Sequence, residues 1–255
     1  MEYRDEERKQ AFMLVARAGD IILQSGAEIF RVETTMSHMA KALHVEDLET
    51  YVIANGIFAT AKGEGAQLHA HIKSVETGDT DLGKIEAVNE LSRDMEQHAY
   101  TLEDVGKRLE EIENMGEYPR FILISAYGMG AGCFCYAFGG SFHDSLVAFV
   151  VGLVLGVFFY IIRNSKNMKA LKIIAGSMLV TFLSSFMYRQ GLGDSVDFIT
   201  IGSLMPMIPG VSFANSIRDF VENDYVSGLI RLMDVLLTAV CMAVGVYIIW
   251  DLPIF

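Results

Sequence analysis

The sequence predicts an α+β cytoplasmic domain of order ααβββαα over residues 1–118, followed by an all-α bundle of five transmembrane helices over residues 119–255. Three observations carry that expectation. Charge is unevenly placed: before Tyr118 there are 12 Lys and Arg against 24 Asp and Glu, whereas the rest of the chain holds 8 of each. Apolar windows of about 18–20 residues, the length that crosses a bilayer core, occur only after Tyr118. In the first part, apolar residues recur with helical period at both ends and alternate in the middle.

Taken in order, the apolar positions from Glu7 to Phe30, including Phe12, Val15, Ala16, Ile22 and Leu23, predict a helix, and Ala27 to Leu43 continues as a second after Gly26. The pair reads as an αα-hairpin. Three short alternating runs follow, at Thr50–Ala54, Ile57–Ala61 and Leu68–Val75, and the dipeptide Asn55-Gly56 predicts a hairpin between the first two. Asp81 or Asp79 is placed to cap a helix through Ile85, Val88, Leu91 and Met95. Thr101 and Asp104 form a capping box for a last helix reaching about Asn114.

The expected spans run from about Phe121 to Gly140, Ser145 to Ile162, Leu171 to Tyr188 and Gly228 to Trp250, with a shorter fourth span, Val196 to Pro209, broken near Pro206–Gly210. Short cytoplasmic loops carry excess Lys and Arg. Arg163, Lys166, Lys169 and Lys172 follow the second span, Arg120 precedes the first, Arg218 follows the fourth, and the loops near His143 and Leu192 offer only Arg189. The counts predict a bacterial inner-membrane protein with its N-terminus cytoplasmic and its C-terminus outside. Trp250 and Tyr247 then sit in an outer aromatic belt. Met1–Gln10 lacks the basic-then-apolar pattern of a cleaved signal. Gly128, Gly130 and Gly132, with Gly152 and Gly156, suit closely packed helices.

The acidic first part has no basic stripe, which argues against a nucleic-acid partner. Cys133, Cys135 and Cys241 lie in apolar stretches and read as packing residues. His69 and His71, two apart on a predicted strand, project from one face and are weak candidates for a shared metal, but no compact ligand set completes them. No cofactor is expected. A membrane-anchored hydrolase is an alternative class without a supporting motif, since neither G-x-S-x-G nor H-E-x-x-H occurs. A regulatory protein whose acidic domain senses a ligand is another.

Transport chemistry is expected where the fourth span breaks. Pro206 and Pro209 each remove a backbone donor and clash with the preceding turn, and irregular backbone at membrane depth is tolerated only against protein or a wet cavity. A helix restarting near Pro209 and Gly210 would present free amides to a carboxylate, with Ser203, Ser212, Asn215 and Ser216 adding neutral hydrogen bonds. Arg218 and Asp219 follow as coupling or gating candidates. Arg231 and Asp234, three apart in the last span, are expected to pair, and Asp234 is a candidate for proton coupling.

The runs Met207–Gly210, Asn215–Asp219 and Asn223–Gly228 with Arg231, together with Gly26–Glu33 and Asp81–Leu91, resemble the threonine/serine exporter family over nearly the whole chain. Phe213 and Asn223 depart from that pattern. The resemblance implies export of a small carboxylate, either a hydroxy amino acid or a dicarboxylate such as succinate. It further implies that this chain is the large subunit of a split form, working in the lipid bilayer with a separate small multi-span membrane subunit and open to self-association.

Overall fold

The computed structural model describes residues 5–63, 68–75, 80–116, 118–163 and 168–252. Asp79 and Lys166, named above as a cap and a loop cation, lie outside them. The chain forms two compact units: Met1–Gly116 with Gly210–Leu232, and Glu117–Pro209 with Met233–Phe255. The first unit is therefore discontinuous in sequence, unlike the single segment 1–118 expected.

In the first unit, α1 (Asp5–Gln24) and α2 (Ile29–Ala42) are separated by a tight stop at Gly26. Gly26 has φ +80°, where a Cβ is strained. The Gly26 and Ala27 amides donate to Leu23 O and Ile22 O at 3.0 and 3.1 Å, the paired bonds of a Schellman motif. A three-stranded antiparallel sheet follows in the order β1 (Glu49–Ile53), β2 (Gly56–Lys62), β3 (Leu68–Ser74). The first hairpin pairs Ile53 with Gly56, so its tip is Ala54-Asn55, one residue earlier than the expected Asn55-Gly56. Asp81 Oδ1 accepts from the Lys84 amide at 3.1 Å and starts α3 (Leu82–Gln97). Thr101 Oγ1 accepts from the Asp104 amide at 3.2 Å and starts α4 (Leu102–Glu113).

One core joins these elements. Phe12, Val15, Ile22 and Leu23 of α1 pack with Val32, Met36 and Met39 of α2, Ile57 of β2 and Leu109 of α4. Full burial of each large side chain contributes roughly 1.5–3 kcal/mol. At the edge of the unit Arg17 of α1 holds Glu113 of α4 through two charged hydrogen bonds, its Nε donating to Oε1 at 3.0 Å.

The second unit contains α5 (Arg120–Ala137), α6 (Phe142–Ile162), α7 (Lys169–Arg189), α8 (Val196–Leu204), a 3₁₀ turn at Met205–Met207 and most of α10 (Tyr225–Trp250). Among the described residues four helices, α5, α6, α7 and α10, are long and apolar enough to cross a membrane; a fifth span requires counting α8 and α9 (Gly210–Val221) as one broken crossing. Large apolar side chains such as Phe121, Ile161, Leu237 and Val240 point outward, the inverse of a water-soluble bundle.

Small residues let α5 and α6 approach closely. A Cβ on Gly152 would come within 2.6 Å of both Ala131 Cβ and Tyr127 O, and one on Gly202 of α8 within 2.7 Å of the Cys135 backbone. Asp144, 1% exposed, caps α6 and accepts from the Asp194 and Ser195 amides at 2.7 and 3.0 Å, which fixes the turn before α8.

The Arg17 guanidinium holds the Glu113 carboxyl below its ordinary range, mainly by hydrogen bonding. A depressed folded-state value stabilises the fold above the ordinary carboxylate pKa, and that contribution is lost as pH falls through the lowered value. Thermal unfolding of the purified protein should show a Tm gap between wild type and Glu113→Gln at about pH 7 that narrows as pH falls below the ordinary carboxylate range. A gap that does not change with pH would contradict the pairing.

Candidate functional site

Two prolines interrupt the chain after α8. Pro206 sits in the 3₁₀ turn, Ile208 is extended at φ −73°, ψ 124°, and Pro209 precedes the restart of helix at Gly210. Each proline lacks an amide hydrogen and cannot continue the ladder. One helical segment, Val196–Met207, thus ends and another, Gly210–Val221, begins across this break.

Helix α9 buries a polar face. Asn215, Ser216 and Asp219 are buried, while Val211, Phe213, Ile217 and Val221 are exposed. The polar face belongs to the first unit, where it meets the loop between α1 and α2. Asn215 Nδ2 donates to Gly26 O at 3.0 Å, Arg231 Nη2 donates to Ala27 O at 2.6 Å, and Arg218 Nη1 donates to Glu28 Oε1 at 2.7 Å. The Schellman stop at Gly26 turns these loop carbonyls out of the α1 ladder and makes them available. Asp81 N in turn donates to Ser25 O at 3.1 Å. Stretches that carry the family resemblance, around Gly26, Asp81 and Asn215–Arg231, thus converge on one loop.

At the centre lies a buried ion pair. Arg231 Nε is 3.1 Å from Asp219 Oδ2, with side chains 6% and 0% exposed. The approach is close but off the N–H direction, so neither Asp219 oxygen has a well-aligned donor among the described residues. Desolvating two charges costs several kcal/mol, and their mutual attraction, with the Ala27 carbonyl on the guanidinium and the Ile29 backbone on the carboxylate, offsets it. The turn joining α9 to α10 supports this geometry. Asn223 adopts φ +67°, and its amide and that of Asp224 donate to Phe220 O and Asp219 O at 3.2 and 2.8 Å. Asparagine tolerates this conformation well, which gives a physical reason for its presence there.

The expected pairing of Arg231 with Asp234 does not occur. Spacing of three places both on one helical face, but Arg231 finds the buried Asp219 carboxylate, and Asp234 receives Lys169 Nζ at 2.6 Å in the second unit. The remaining sequence candidates are dispersed. Ser216 Oγ donates back to Phe213 O at 2.8 Å, Ser212 is half-buried, and Gly210 is exposed with open space around it. Ser203, fully buried in α8, reaches Ala148 O only at 3.5 Å.

Sequence reasoning missed a set of hydroxyls buried with Ser203 in the second unit: Ser177, Thr181 and Ser184 on α7 and Thr200 on α8. Their spacing of four and three residues on α7 was the available signal. Ser177 and Thr181 bond back to Ile173 O and Ser177 O at 2.7 and 2.8 Å, whereas Ser184 Oγ and Thr200 Oγ1 have no partner among the described residues. It also missed Glu28 and Lys169 as charge partners.

His69 and His71 do share a strand face but are engaged separately. His69 stacks on Phe12, and His71 Nε2 lies 3.3 Å from Asp20 Oδ1, whose other oxygen accepts from Lys73 Nζ at 2.8 Å. Among the described residues no three His, Cys, Asp or Glu are grouped to hold a metal ion.

A polar cleft of about 830 Å³ opens beside the motif junction. Its walls are Glu28 and Arg31, the α3 face from Leu82 to Gln97, and Val211 with Asn215 of α9. Tyr100 hydroxyl donation, reinforced by His98, holds the Asp94 carboxyl on this wall below its ordinary range. Burial pushes the Glu33 carboxyl of α2 up.

Comparison with known proteins gives a consistent picture. The family model for threonine/serine exporters matches residues 13–252. A relative in Klebsiella aerogenes named "Probable succinate transporter subunit YjjP" is 22% identical over 247 residues, covering 96% of this chain and 95% of its own. The protein of that name in Escherichia coli K12 is 22% identical over 251 residues, 97% of each chain. Pheromone-regulated membrane protein 10 of Debaryomyces hansenii is 20% identical over 244 residues, 94% of this chain but 24% of its own length. No solved structure matches.

Removing one partner of a buried ion pair typically costs about 3–5 kcal/mol, while replacing both by apolar or neutral groups costs far less. Arg231→Ala should therefore lower the thermal midpoint of the detergent-solubilised protein markedly, and Asp219→Asn/Arg231→Met should recover most of the loss. Additive losses in the double variant would show that the two charges do not interact.

Proposed function

The chain belongs to the threonine/serine exporter family, and on that premise we propose that it is the larger subunit of a two-component membrane exporter for a small carboxylate, threonine and serine or a dicarboxylate such as succinate. The reading is of a transporter, not an enzyme. What supports a separate smaller subunit is that relatives of nearly equal length carry the word subunit in their names. A bacterial inner-membrane location with the N-terminus in the cytoplasm and the C-terminus outside is supported by Arg163, Lys169 and Lys172 between the second and third apolar helices.

The observation that carries the proposal is the break at Pro206–Pro209 between two helical segments. Lipid cannot satisfy the backbone groups such a break frees, so they must face protein, water or solute. Free amides at the start of α9 carry partial positive charge suited to a carboxylate. In this proposal the hydroxyls of Ser203, Thr200 and Ser184 offer neutral hydrogen bonds along the pathway. Asn215, Arg218, Asp219 and Arg231 set the position of α9, while Asp234, paired with Lys169, is the coupling candidate.

The test is efflux from cells that lack other exporters of these solutes and carry this chain with a small multi-span membrane partner. Succinate and threonine are measured separately. Pro209→Ala, which allows the helix to close, should reduce efflux several-fold at equal membrane abundance. Full efflux by that variant would remove the break from the mechanism.

A further inference from the structure

The cleft of the first unit has a charge pattern that the export reading does not use. Of its acidic groups, Glu28 already accepts Arg218, and Asp94 already accepts Tyr100 and His98. Glu86, Glu90 and Arg93 have no ion-pair partner among the described residues. Arg31 makes only a long contact of 3.8 Å to Glu28. With Glu28 engaged by Arg218, the carboxylates of Glu86, Glu90 and Asp94 and the guanidiniums of Arg31 and Arg93 face one space, which presents charges of both signs.

The positions follow from helix geometry. Glu86, Glu90 and Arg93 lie at spacings of four and three on α3, so they share one face, and Arg31 comes from the neighbouring α2. The α3 face between Leu82 and Gln97 extends about 22 Å at ~1.5 Å per residue. Between the charges, Asn89 and Asn215 supply side-chain amides; Asn89 Oδ1 is taken by Thr35, and Asn215 Nδ2 by Gly26 O.

We propose that this cleft binds a zwitterion carrying one carboxylate and one ammonium, as a free α-amino acid or a short peptide, and that its occupancy stabilises the docked position of α9. The carboxylate is received by Arg93 and Arg31 and the ammonium by Glu86 and Glu90, each a charge-assisted hydrogen bond. A dicarboxylate fits poorly, because its second charge meets Glu86 and Glu90. Asn215 connects the ligand to α9, since the same side chain lines the cleft and holds Gly26 O. A ligand that binds only when Asn215 is seated shifts the population toward the docked helix by linkage. The proposal goes beyond the export reading, because every wall of the cleft belongs to the first unit.

The experiment is calorimetric titration of the purified full-length chain with L-serine, with trialanine and with succinate. A fragment ending at Gly116 is unsuitable, because it lacks the α9 wall. Saturable heat from serine identifies a free amino acid as the occupant, and saturable heat from trialanine alone identifies a peptide; either supports the site if Arg93→Ala abolishes it, whereas heat that survives Arg93→Ala belongs to the transport pathway. Arg93→Ala and the pair Glu86→Gln/Glu90→Gln, all at exposed positions, should each weaken binding about tenfold or more with an unchanged thermal midpoint. No saturable heat from either zwitterion, succinate binding that Arg93→Ala abolishes, or zwitterion binding unaffected by Arg93→Ala would overturn the proposal. Efflux with the small partner is scored separately. Efflux without zwitterion binding removes the cleft alone, and zwitterion binding without efflux removes the export reading alone.

Discussion

A carboxylate with no exposed surface must have its charge met inside the protein, and for Asp219 the group that meets it is Arg231. That requirement organises much of the first unit. Arg231 reaches Asp219 only because Asn223 reverses the chain between α9 and α10, and its guanidinium is further held by Ala27 O. Ala27 O is free to accept only because Gly26 ends α1 with a left-handed residue. Loop, turn and ion pair therefore depend on one another, and Gly210–Leu232 belongs to the first unit because of them.

The arrangement reverses ordinary amphipathic logic. Helix α9 hides Asn215, Ser216 and Asp219 and shows Phe213, Ile217 and Val221. In water that would be an aggregation liability; beside lipid or another apolar surface it is the lower-energy orientation. In the second unit serine and threonine hydroxyls share the interior with Val151, Leu155, Val180 and Ile199, while many other large apolar side chains face outward. In that interior small residues act beside bulky ones such as Leu155 and Ile199. Gly152 and Gly202 let backbones approach, whereas Phe12, Leu23 and Met36 fill space.

Much of this was legible in the sequence, and the failures have physical causes. Helical and strand periods located α2, the three strands, α3 and α4 to within a few residues, since burial on one face imposes the period, but the first helix, expected to reach Phe30, stops at Gln24 because Gly26 ends it. The prolines at 206 and 209 marked the interruption because their effect is covalent and local. The Ala54-Asn55 tip was missed by one residue because pairing across the strands, not the Asn-Gly dipeptide, sets register. The partnership of Arg231 was misread for a related reason. Spacing identifies residues that share a face, but the partner across the interface comes from a distant stretch, here Asp219 and Ala27. The cleft on α3 was invisible for the same reason, since Arg31, Arg93 and Asn215 have no sequence relation that periodicity can detect.

The most direct test of this account is hydrogen–deuterium exchange of the purified chain, comparing wild type with Arg231→Ala. If the buried pair holds α9 against the α1–α2 loop, amides of Ser212–Phe220 and of Ser25–Ile29 should lose protection together, while α5 and α6 keep theirs. Unchanged protection in both segments, or loss confined to α10, would show that the ion pair does not secure the junction.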